Sequence, residues 1–388
     1  MGDGSKKVKD RIPSYDELTE GWFSVRPVMS YQRHLMCVTG KRTSGKSTGV
    51  SLFVLLEFRR THQGWIYTRR TKDETYLTAP DWFDNACEIL NKYLSEDKQI
   101  NILYRGGNYY YHEGPIREVD EDGNEKEISG LYDDQYICGK AIPLSQQQKY
   151  KGSNFSWIDY IIYDEFVVFE GSSPYLGGFG NPLLEYRMLM SLYQTVDRGV
   201  GVPYRNQTKI FCLGNNDSYV TPIYMALGVD KYIRVDTRFL APKGEEWVVQ
   251  QLKAEDTTKL EDYKNSISYK LADERTREYA FENIAKEEAD TQFVQKLKVT
   301  MHPLFNATFD GYDMIVYQYS KGWYVMPGHQ NGLHSYALTL KDHSIDRTLT
   351  SGSYGFPLQQ MKKNFADGFV TFENKKCKMC FMSYFKFV

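Results

Sequence analysis

The sequence has 388 residues, enough for two domains, and 41% of them are hydrophobic, so a substantial core can form. The formal net charge of −2 excludes a chain that is basic over its whole surface. No apolar run approaches the roughly 20 residues of a membrane-spanning helix, and the first residues lack the apolar stretch of a signal peptide. We therefore expect a cytoplasmic protein, and the scattered cysteines are typical of reduced thiols in a core.

The most informative segment is a glycine-rich turn near the N-terminus. The apolar segment 34–38 predicts a strand before it, and the apolar density of 50–56 predicts a buried helix after it. Together they predict a phosphate-binding loop, in which Lys46 reaches the terminal phosphates and the Ser47 hydroxyl ligates Mg²⁺. The turn has the P-loop pattern and consists of Gly40, Lys41, Arg42, Thr43, Ser44, Gly45, Lys46, Ser47 and Thr48.

The elements that follow the turn predict a mainly parallel sheet. Buried apolar strands alternate with helical segments, which is typical of a parallel sheet covered on both faces. An Asp-Gly turn within the acidic run 120–125 predicts the exposed tip of a hairpin. In chain order we predict a strand at 64–70, a helix at 73–97, hairpins at 101–142, a strand at 160–165, a helix at 182–197 and a strand at 209–216.

The composition of the chain changes after residue 245. Residues 246–298 are rich in Lys and Glu, and we predict a helical linker with helices at 246–265 and 272–296. Alternating aromatic segments then predict a small α/β domain with strands at 314–319, 322–326, 369–373 and 379–388 and a helix at 357–366. The predicted domains are therefore 1–245, 246–298 and 299–388.

Two acids, Asp164 and Glu165, close the predicted strand at 160–165. In a P-loop ATPase, an Asp at this position holds the Mg²⁺ shell and an adjacent Glu polarises the attacking water. GTPases and small-molecule kinases usually lack a Glu directly after this Asp, and the chain has no Asn-Lys-x-Asp guanine motif. The acid pair therefore favours ATP hydrolysis that drives motion.

Two further polar residues are candidates for catalysis. Asn215 ends the next core strand and could contact the γ-phosphate or the attacking water, although an Asn-Asn turn is the alternative. Arg198 follows the predicted helix at 182–197. It could serve as an arginine finger for a neighbouring subunit, or it could simply interact with the helix dipole.

The order of these motifs resembles the DNA-packaging ATPase (encapsidation protein) of small podovirus-type tailed phages. The resemblance spans nearly the whole chain, and the narrowest matches are Ala-Ile-Pro-Leu-Ser at 141–145 and the helix end at 192–198. The remaining matching segments are 40–47, 67–70, 163–166, 212–215 and 367–374. This chain departs from the family in a longer acidic hairpin at 112–134, which lies in the first domain.

The resemblance implies roles for single residues. Lys46 and Ser47 match the phosphate and Mg²⁺ ligands, and Asp164 and Glu165 match the metal-shell acid and the catalytic base. Arg198 matches the trans-acting arginine finger. Lys151 lies where the family carries a basic residue proposed to act across the subunit boundary, with Lys149 as the competing position.

The resemblance also implies a fold, cofactors and partners. The fold is an ASCE-type (additional strand, catalytic glutamate) P-loop ATPase domain, a helical linker and a small RNase H-like domain that has lost nuclease activity. ATP and Mg²⁺ are the implied cofactors, and double-stranded DNA and the phage portal are the implied partners. The implied assembly is a pentameric homo-oligomeric ring in the host cytoplasm, without membrane contact. Whether a structural packaging RNA takes part stays open.

The sequence leaves three different functions open. The first is a large terminase with an active nuclease, which needs three or four carboxylates that converge on two metals. None of the available acids lies mid-strand in the expected pattern, and these acids are Asp310, Asp313, Asp342, Asp346 and Asp367. The second is a P-loop kinase or phosphotransferase unrelated to DNA, and the third is a nucleotide-gated structural component of a capsid.

Two features near the C-terminus have open interpretations. The lysines there suit phosphate contact, or else serve as charges that protect an edge strand, and they are Lys375, Lys376, Lys378 and Lys386. A lone Cys-x-x-Cys, Cys377 to Cys380, lacks the second pair that a zinc site requires.

Overall fold

The computed structural model describes residues 10–119, 124–168, 175–177, 183–199, 201, 203–215, 221–229, 237–253, 267–271, 294–349 and 356–386. The chain forms two compact units. The first comprises Met1–Val167, Met188–Asn216 and Asp236–Asn283, and the second comprises Val168–Arg187, Asp217–Val235 and Ile284–Val388. The division of the sequence at 245 and 298 stays a prediction.

The first unit contains a large mixed sheet and a separate two-stranded hairpin. Its strands are β1 Leu35–Thr39, β2 Gly64–Thr68, β3 Ile100–Arg105, β4 Asn108–Glu113, β5 Arg117–Val119, β6 Glu125–Glu127, β7 Ile137–Ala141, β8 Ile158–Asp164, β9 Lys209–Gly214, β10 Phe239–Leu240 and β11 Trp247–Gln251. Among the described residues the order in the main sheet is β10-β11-β1-β9-β8-β2-β7-β4-β3. The six strands from β11 to β7 are parallel, which confirms the predicted parallel core. β5 and β6 pair separately as the acidic hairpin.

Helices of the first unit pack against the main sheet, and the second unit has helices of its own. In chain order the helices of the described residues are α1 Tyr15–Leu18, α2 Arg26–Met29, α3 Lys46–Thr61, α4 Lys72–Thr78, α5 Asp84–Asn91, α6 Leu184–Val196, α7 Pro222–Leu227, α8 Ile267–Leu271, α9 Phe356–Ala366 and α10 Lys375–Lys386. The single helix predicted at 73–97 is wrong, because Pro80 lies between α4 and α5 and cannot donate a helix hydrogen bond. Aromatic rings fill the layer beneath α3 and α5, with Phe58 and Phe83 centred 5.8 and 4.6 Å from Trp65.

The helix predicted at 246–265 is also wrong at its start. Trp247–Gln251 is β11, all five of its residues are buried, and it pairs in parallel with β1. The run Trp247-Val248-Val249 suits a buried strand, because aromatic and β-branched side chains pack well on a pleated surface. Most of the helix predicted at 272–296, and all of the first one beyond residue 253, lies outside the described residues.

The second unit contains its own sheet and core. Its strands are β12 His302–Phe309, β13 Tyr312–Tyr319, β14 Gly322–Pro327, β15 Ser335–Ala337, β16 Thr348–Leu349 and β17 Val370–Phe372. They are ordered β16-β15-β12-β13-β14-β17 in the described part of the chain. β12, β13 and β14 are antiparallel, whereas β15, β16 and β17 each run parallel to their neighbour. The predicted hairpin at 314–326 and the helix at 357–366 are confirmed.

The strand predicted at 379–388 is wrong, because Lys375–Lys386 form α10. Its buried apolar residues, Cys377, Cys380, Phe381 and Tyr384, repeat at the spacing of one helix face. The Asn374 side chain accepts a hydrogen bond from the Cys377 amide at 2.9 Å and caps the helix. The interpretation of the lysines as edge-strand charges is therefore also wrong.

The described residues lack two kinds of feature. They contain no cluster of His, Cys, Asp and Glu able to hold a metal ion. Within the same part of the chain, no helix is both long and apolar enough to span a bilayer.

Candidate active site

The glycine-rich turn lies between the end of β1 and the start of α3. Gly45 has a φ of 80° and Thr43 a φ of 63°, so two residues of the turn adopt the left-handed conformation. The left-handed φ favours glycine at position 45, and a Cβ there would also make a tight contact of 3.1 Å with the Trp22 ring. Such a turn at a helix N-terminus directs backbone amides inward and forms an anion-binding concavity.

The Lys46 side chain folds back over this turn. Its ammonium group donates to the carbonyl oxygens of Gly40 and Lys41 at 2.9 and 2.8 Å, and to Ser44 Oγ at 3.2 Å. Lys46 is only 8% exposed. The turn therefore holds a buried positive charge, and an anion that entered would replace these internal acceptors.

The two acids lie at the same edge of the sheet as the turn. β8 ends at Asp164, and β9 lies between β8 and β1, so the carboxyl ends of all three strands meet there. Asp164 is 5% exposed, and burial raises its pKa while the neighbouring Arg69 guanidinium opposes that rise. Glu165 is half exposed and has a φ of 55°, which is unusual for a residue with a Cβ.

Arg69, which follows β2, bridges the two acids. Its Nη2 and Nε donate to Asp164 Oδ2 at 2.5 and 3.1 Å, and its Nη1 lies 3.5 Å from Glu165 Oε2. Burial alone would lower the pKa of Arg69, but Asp164 and Glu165 raise it above its ordinary value. The guanidinium is therefore charged at any physiological pH.

The turn, the acids and Asn215 line one cavity of about 360 Å³. Among the predicted residues, Gly40 and Lys41 are not in its lining, and their carbonyls face Lys46 instead. Asn215 is there because it follows β9, the strand between β1 and β8. The lining consists of Arg42, Thr43, Ser44, Gly45, Lys46, Ser47, Thr48, Arg69, Asp164, Glu165, Leu213, Gly214 and Asn215.

Two further predicted residues, Arg198 and Lys151, do not line this cavity. Arg198 is exposed just beyond α6, and Lys151 is exposed after the 3₁₀ helix at 144–150. Neither side chain forms a hydrogen bond with another described residue. Lys149 by contrast donates to Gln146 Oε1 at 3.2 Å.

Arg69 lines the cavity and Arg70 contacts Glu165, but neither was assigned a role from the sequence, where they appeared as the end of the strand at 64–70 and within the matching segment 67–70. The Arg70 Nη2 donates to the Glu165 carbonyl at 2.9 Å. Their position in the sequence could have indicated a role in the site. Charged residues directly after a parallel strand lie at the same edge of the sheet as the residues that follow the neighbouring strands.

Comparisons with known proteins agree on one family. The model of the family described as Podovirus DNA encapsidation protein (Gp16) matches residues 108–387. A DNA packaging protein of Bacillus phage phi29 is 24% identical over 204 residues, which cover 53% of this chain and 49% of the relative. A DNA packaging protein of Bacillus phage B103 is 27% identical over 205 residues, covering 52% and 50%. The matches thus span about half the length of these curated relatives.

A solved structure agrees over a longer region. A chain of the bacteriophage Phi-29 viral genome packaging motor assembly is similar to this chain with a TM-score of 0.64 and 20% identity. The similarity covers 94% of this chain and 99% of that one. At this level of identity the likeness shows the fold.

Proposed function

This chain belongs to the podovirus DNA encapsidation protein family, and from that premise we propose that it is an ATP-hydrolysing motor that moves double-stranded viral DNA into a procapsid. One observation carries the proposal: the glycine-rich turn, the acid pair and Asn215 line a single cavity. A phosphate-binding turn that faces two adjacent carboxylates is the arrangement that hydrolysis of a nucleoside triphosphate needs.

The residues present fit a Mg²⁺ ion. Three hydrogen-bond donors, two from Arg69 and the Tyr67 hydroxyl, meet at Asp164 Oδ2. Within the described residues no donor reaches Oδ1, and none reaches the Ser47 hydroxyl, so both oxygens are available to a hard cation. We propose that Ser47 and Asp164 would hold the ion. When bound, Mg²⁺ would neutralise charge on the phosphate oxygens.

The remaining residues of the cavity have complementary roles in the proposal. Lys46 exchanges its internal acceptors for the terminal phosphates of ATP, and residues 42–48 contribute backbone amides. Glu165 accepts a proton from the attacking water, and Asn215 contacts that water or the γ-phosphate. The position of β9 between β1 and β8 supports assignment to the ASCE class, in which an additional strand separates the turn from the acids.

We further propose that the active unit is a homo-oligomeric ring at the portal, pentameric as the resemblance implies. Arg198 would complete the site of the neighbouring subunit, and Lys151 is the second candidate for such a role. Their exposure, without side-chain hydrogen bonds to other described residues, supports this proposal, because a trans-acting side chain must be available to a partner.

The second unit is proposed to be an RNase H-like domain without nuclease activity. The strand order supports this assignment. β12, β13 and β14 form an antiparallel group, and β15 and β16 continue the sheet beside β12 as parallel strands. Neither β12 nor β15 contains an Asp or Glu. The carboxylate of Asp342 accepts the amides of Asp310 and Gly311 at 2.7 and 2.8 Å, so its use is structural.

Turnover by the Glu165→Gln variant tests the proposed function. The wild-type chain is expected to hydrolyse ATP faster when duplex DNA is added. Glu165→Gln should bind ATP normally and lose turnover by at least about 100-fold, because it removes the general base. Glu88→Gln, which changes an exposed glutamate paired with Lys92, is the matched control and should leave turnover unchanged.

The same assay separates the proposed motor from the three functions that the sequence left open. Hydrolysis that duplex DNA does not stimulate would favour a phosphotransferase. Normal assembly and activity of Glu165→Gln would favour a nucleotide-gated capsid component. DNA cleavage in the presence of Mg²⁺ would favour a terminase with an active nuclease.

A further inference from the structure

Tyr67 lies within the core on the strand next to Asp164. β2 and β8 are parallel neighbours, and Tyr67 is paired with Ile162. Because side chains alternate along a strand, Asp164, two residues after Ile162, lies on the same face of the sheet as Tyr67. Tyr67 is 0% exposed, and the centre of its ring lies 4.6 Å from that of Trp82. The Tyr67 hydroxyl therefore meets the acid from within the core.

This hydroxyl has two neighbours. Tyr67 Oη lies 2.8 Å from Thr78 Oγ1 and 3.4 Å from Asp164 Oδ2. The Thr78 hydroxyl also donates to the Glu74 carbonyl at 2.8 Å, and each hydroxyl carries a single proton. Of the two oxygens that the Tyr67 proton can reach, only that of Asp164 belongs to an acid, and hydrogen bonds to charged groups are the stronger ones. The Tyr67 proton is thus available to Asp164.

The surroundings hold Tyr67 and Thr78 in place. Thr71 caps α4 by accepting from the Glu74 amide at 3.3 Å, while the Glu74 carboxylate accepts from the Thr71 amide at 3.0 Å. On the other side, the Ile142 amide donates to the Tyr67 carbonyl at 2.9 Å. Ile142 belongs to the Ala-Ile-Pro-Leu-Ser segment, which continues β7 beside β2. This contact gives a physical role to one of the narrowest motifs of the sequence.

The two carboxylate oxygens of Asp164 have different surroundings. Oδ2 accepts from Arg69 Nη2 and Nε at 2.5 and 3.1 Å and lies beside the Tyr67 hydroxyl. No donor from the described residues reaches Oδ1. A rotation of the carboxylate that exchanged the two oxygens would break the contacts of Oδ2. Without the Tyr67 hydroxyl, Arg69 would be the sole described donor to restrain that rotation.

We propose that Tyr67 is a positioning residue for Asp164, because its hydroxyl helps to hold Oδ2 and so leaves Oδ1 to the cation. The inference rests on the proposed function, in which Asp164 holds Mg²⁺. Tyr67 is not assigned to the nucleotide and acts only through Asp164. Its loss should therefore change the Mg²⁺ dependence of nucleotide binding and spare the binding that needs no Mg²⁺.

The test compares Tyr67→Phe with wild type in the full chain, by titration calorimetry with a non-hydrolysable ATP analogue over a range of Mg²⁺ concentrations. Tyr67→Phe should need about tenfold more Mg²⁺ for the half-maximal gain in analogue affinity, because the partners of a metal ligand tune its affinity for the metal. Without Mg²⁺, its Kd for the analogue should stay within about twofold of wild type.

Tyr109→Phe is the matched control. Tyr109 is also fully buried in the main sheet, and its hydroxyl has no hydrogen-bond partner in the described part of the chain. Removing that hydroxyl should leave the wild-type Mg²⁺ dependence unchanged.

Thr78→Val separates the role of the Tyr67 hydroxyl from the packing of α4. It removes one neighbour of that hydroxyl, but the hydroxyl itself stays near Asp164, so the Mg²⁺ requirement should rise less than in Tyr67→Phe. An equal or larger rise in Thr78→Val would overturn the inference. If wild type shows Mg²⁺-dependent binding and Tyr67→Phe follows the same curve, only this inference fails. Absence of Mg²⁺-dependent binding by wild type contradicts the proposed function and the inference together.

Discussion

Asp197 determines how the chain continues from α6 into the exposed Arg198. It is 1% exposed, and its carboxylate accepts the backbone amides of Asn206, Gln207 and Thr208 at 2.9 to 3.2 Å. The Arg205 amide also donates to the Asp197 carbonyl at 2.8 Å. The loop between α6 and β9 is therefore tied to the helix end, and with it the starting point of the Arg198 side chain.

Asp197→Asn should destabilise the chain by about 2 kcal/mol, because each charge-assisted hydrogen bond contributes about 1.5–3 kcal/mol and part of that is retained by an amide oxygen. Urea unfolding near pH 7 would measure the loss. Asp16→Asn, which removes an exposed pair with Arg26, is the control and should change stability by less than about 1 kcal/mol. Equal stability of Asp197→Asn and wild type would contradict the prediction.

We also expect the stability difference between wild type and Asp197→Asn to depend on pH. Burial alone would raise the pKa of Asp197, but the three backbone amides lower it below its ordinary value. A lowered pKa stabilises the folded state fully above the unfolded value of about 3.9, and the stabilisation is lost as pH falls through the folded value. The difference between wild type and Asp197→Asn should therefore shrink on acidification below about pH 4.

At this residue scale, the sequence predicted the acids more readily than their partners. Asp164 and Glu165 follow an obvious apolar strand, and a P-loop on the same chain gave them a role. Arg69 and Arg70 also follow a strand. Their pairing with the acids depends on β2 being next to β8, and strand order is a property of the tertiary fold that local patterns do not contain.

At the scale of elements, strongly patterned segments were predicted correctly and mixed ones were not. β1, β8 and β9 are apolar runs closed by polar residues, and the structure confirms all three. The run Trp247–Gln251, which forms β11, lies within the Lys- and Glu-rich segment 246–298. The average composition of that segment favoured a helix. In α10, aromatic residues suggested a strand, but their spacing fits one face of a helix and packing selected the helix.

At the scale of the whole molecule, we propose that a neighbouring copy of the chain completes the site. The cavity contains candidates for phosphate, metal and water contacts, but among the described residues its only arginines come from the turn and from the sheet edge. Arg198 is the candidate that a neighbouring copy would supply. In this proposal, ATP hydrolysis would depend on assembly of the subunits.

Mixing two inactive variants tests this dependence. Arg198→Ala should bind ATP but lose DNA-stimulated turnover by about 1,000-fold or more, and Glu165→Gln should also be inactive alone. In a random equal mixture, roughly a quarter of interfaces would pair an intact Glu165 with an intact Arg198 across the boundary, so part of the turnover should return. Mixing Arg198→Ala with itself is the control. No recovery in the hetero-mixture would contradict a trans role.

The central claim is that the glycine-rich turn and the acid pair form one magnesium-nucleotide site. Titration calorimetry of the full chain with a non-hydrolysable ATP analogue and Mg²⁺ tests it most directly. We predict saturable binding by wild type, at least about tenfold weaker binding by Lys46→Ala, and a matching loss when Mg²⁺ is withheld. No uptake by wild type, or equal uptake by Lys46→Ala, would contradict the account.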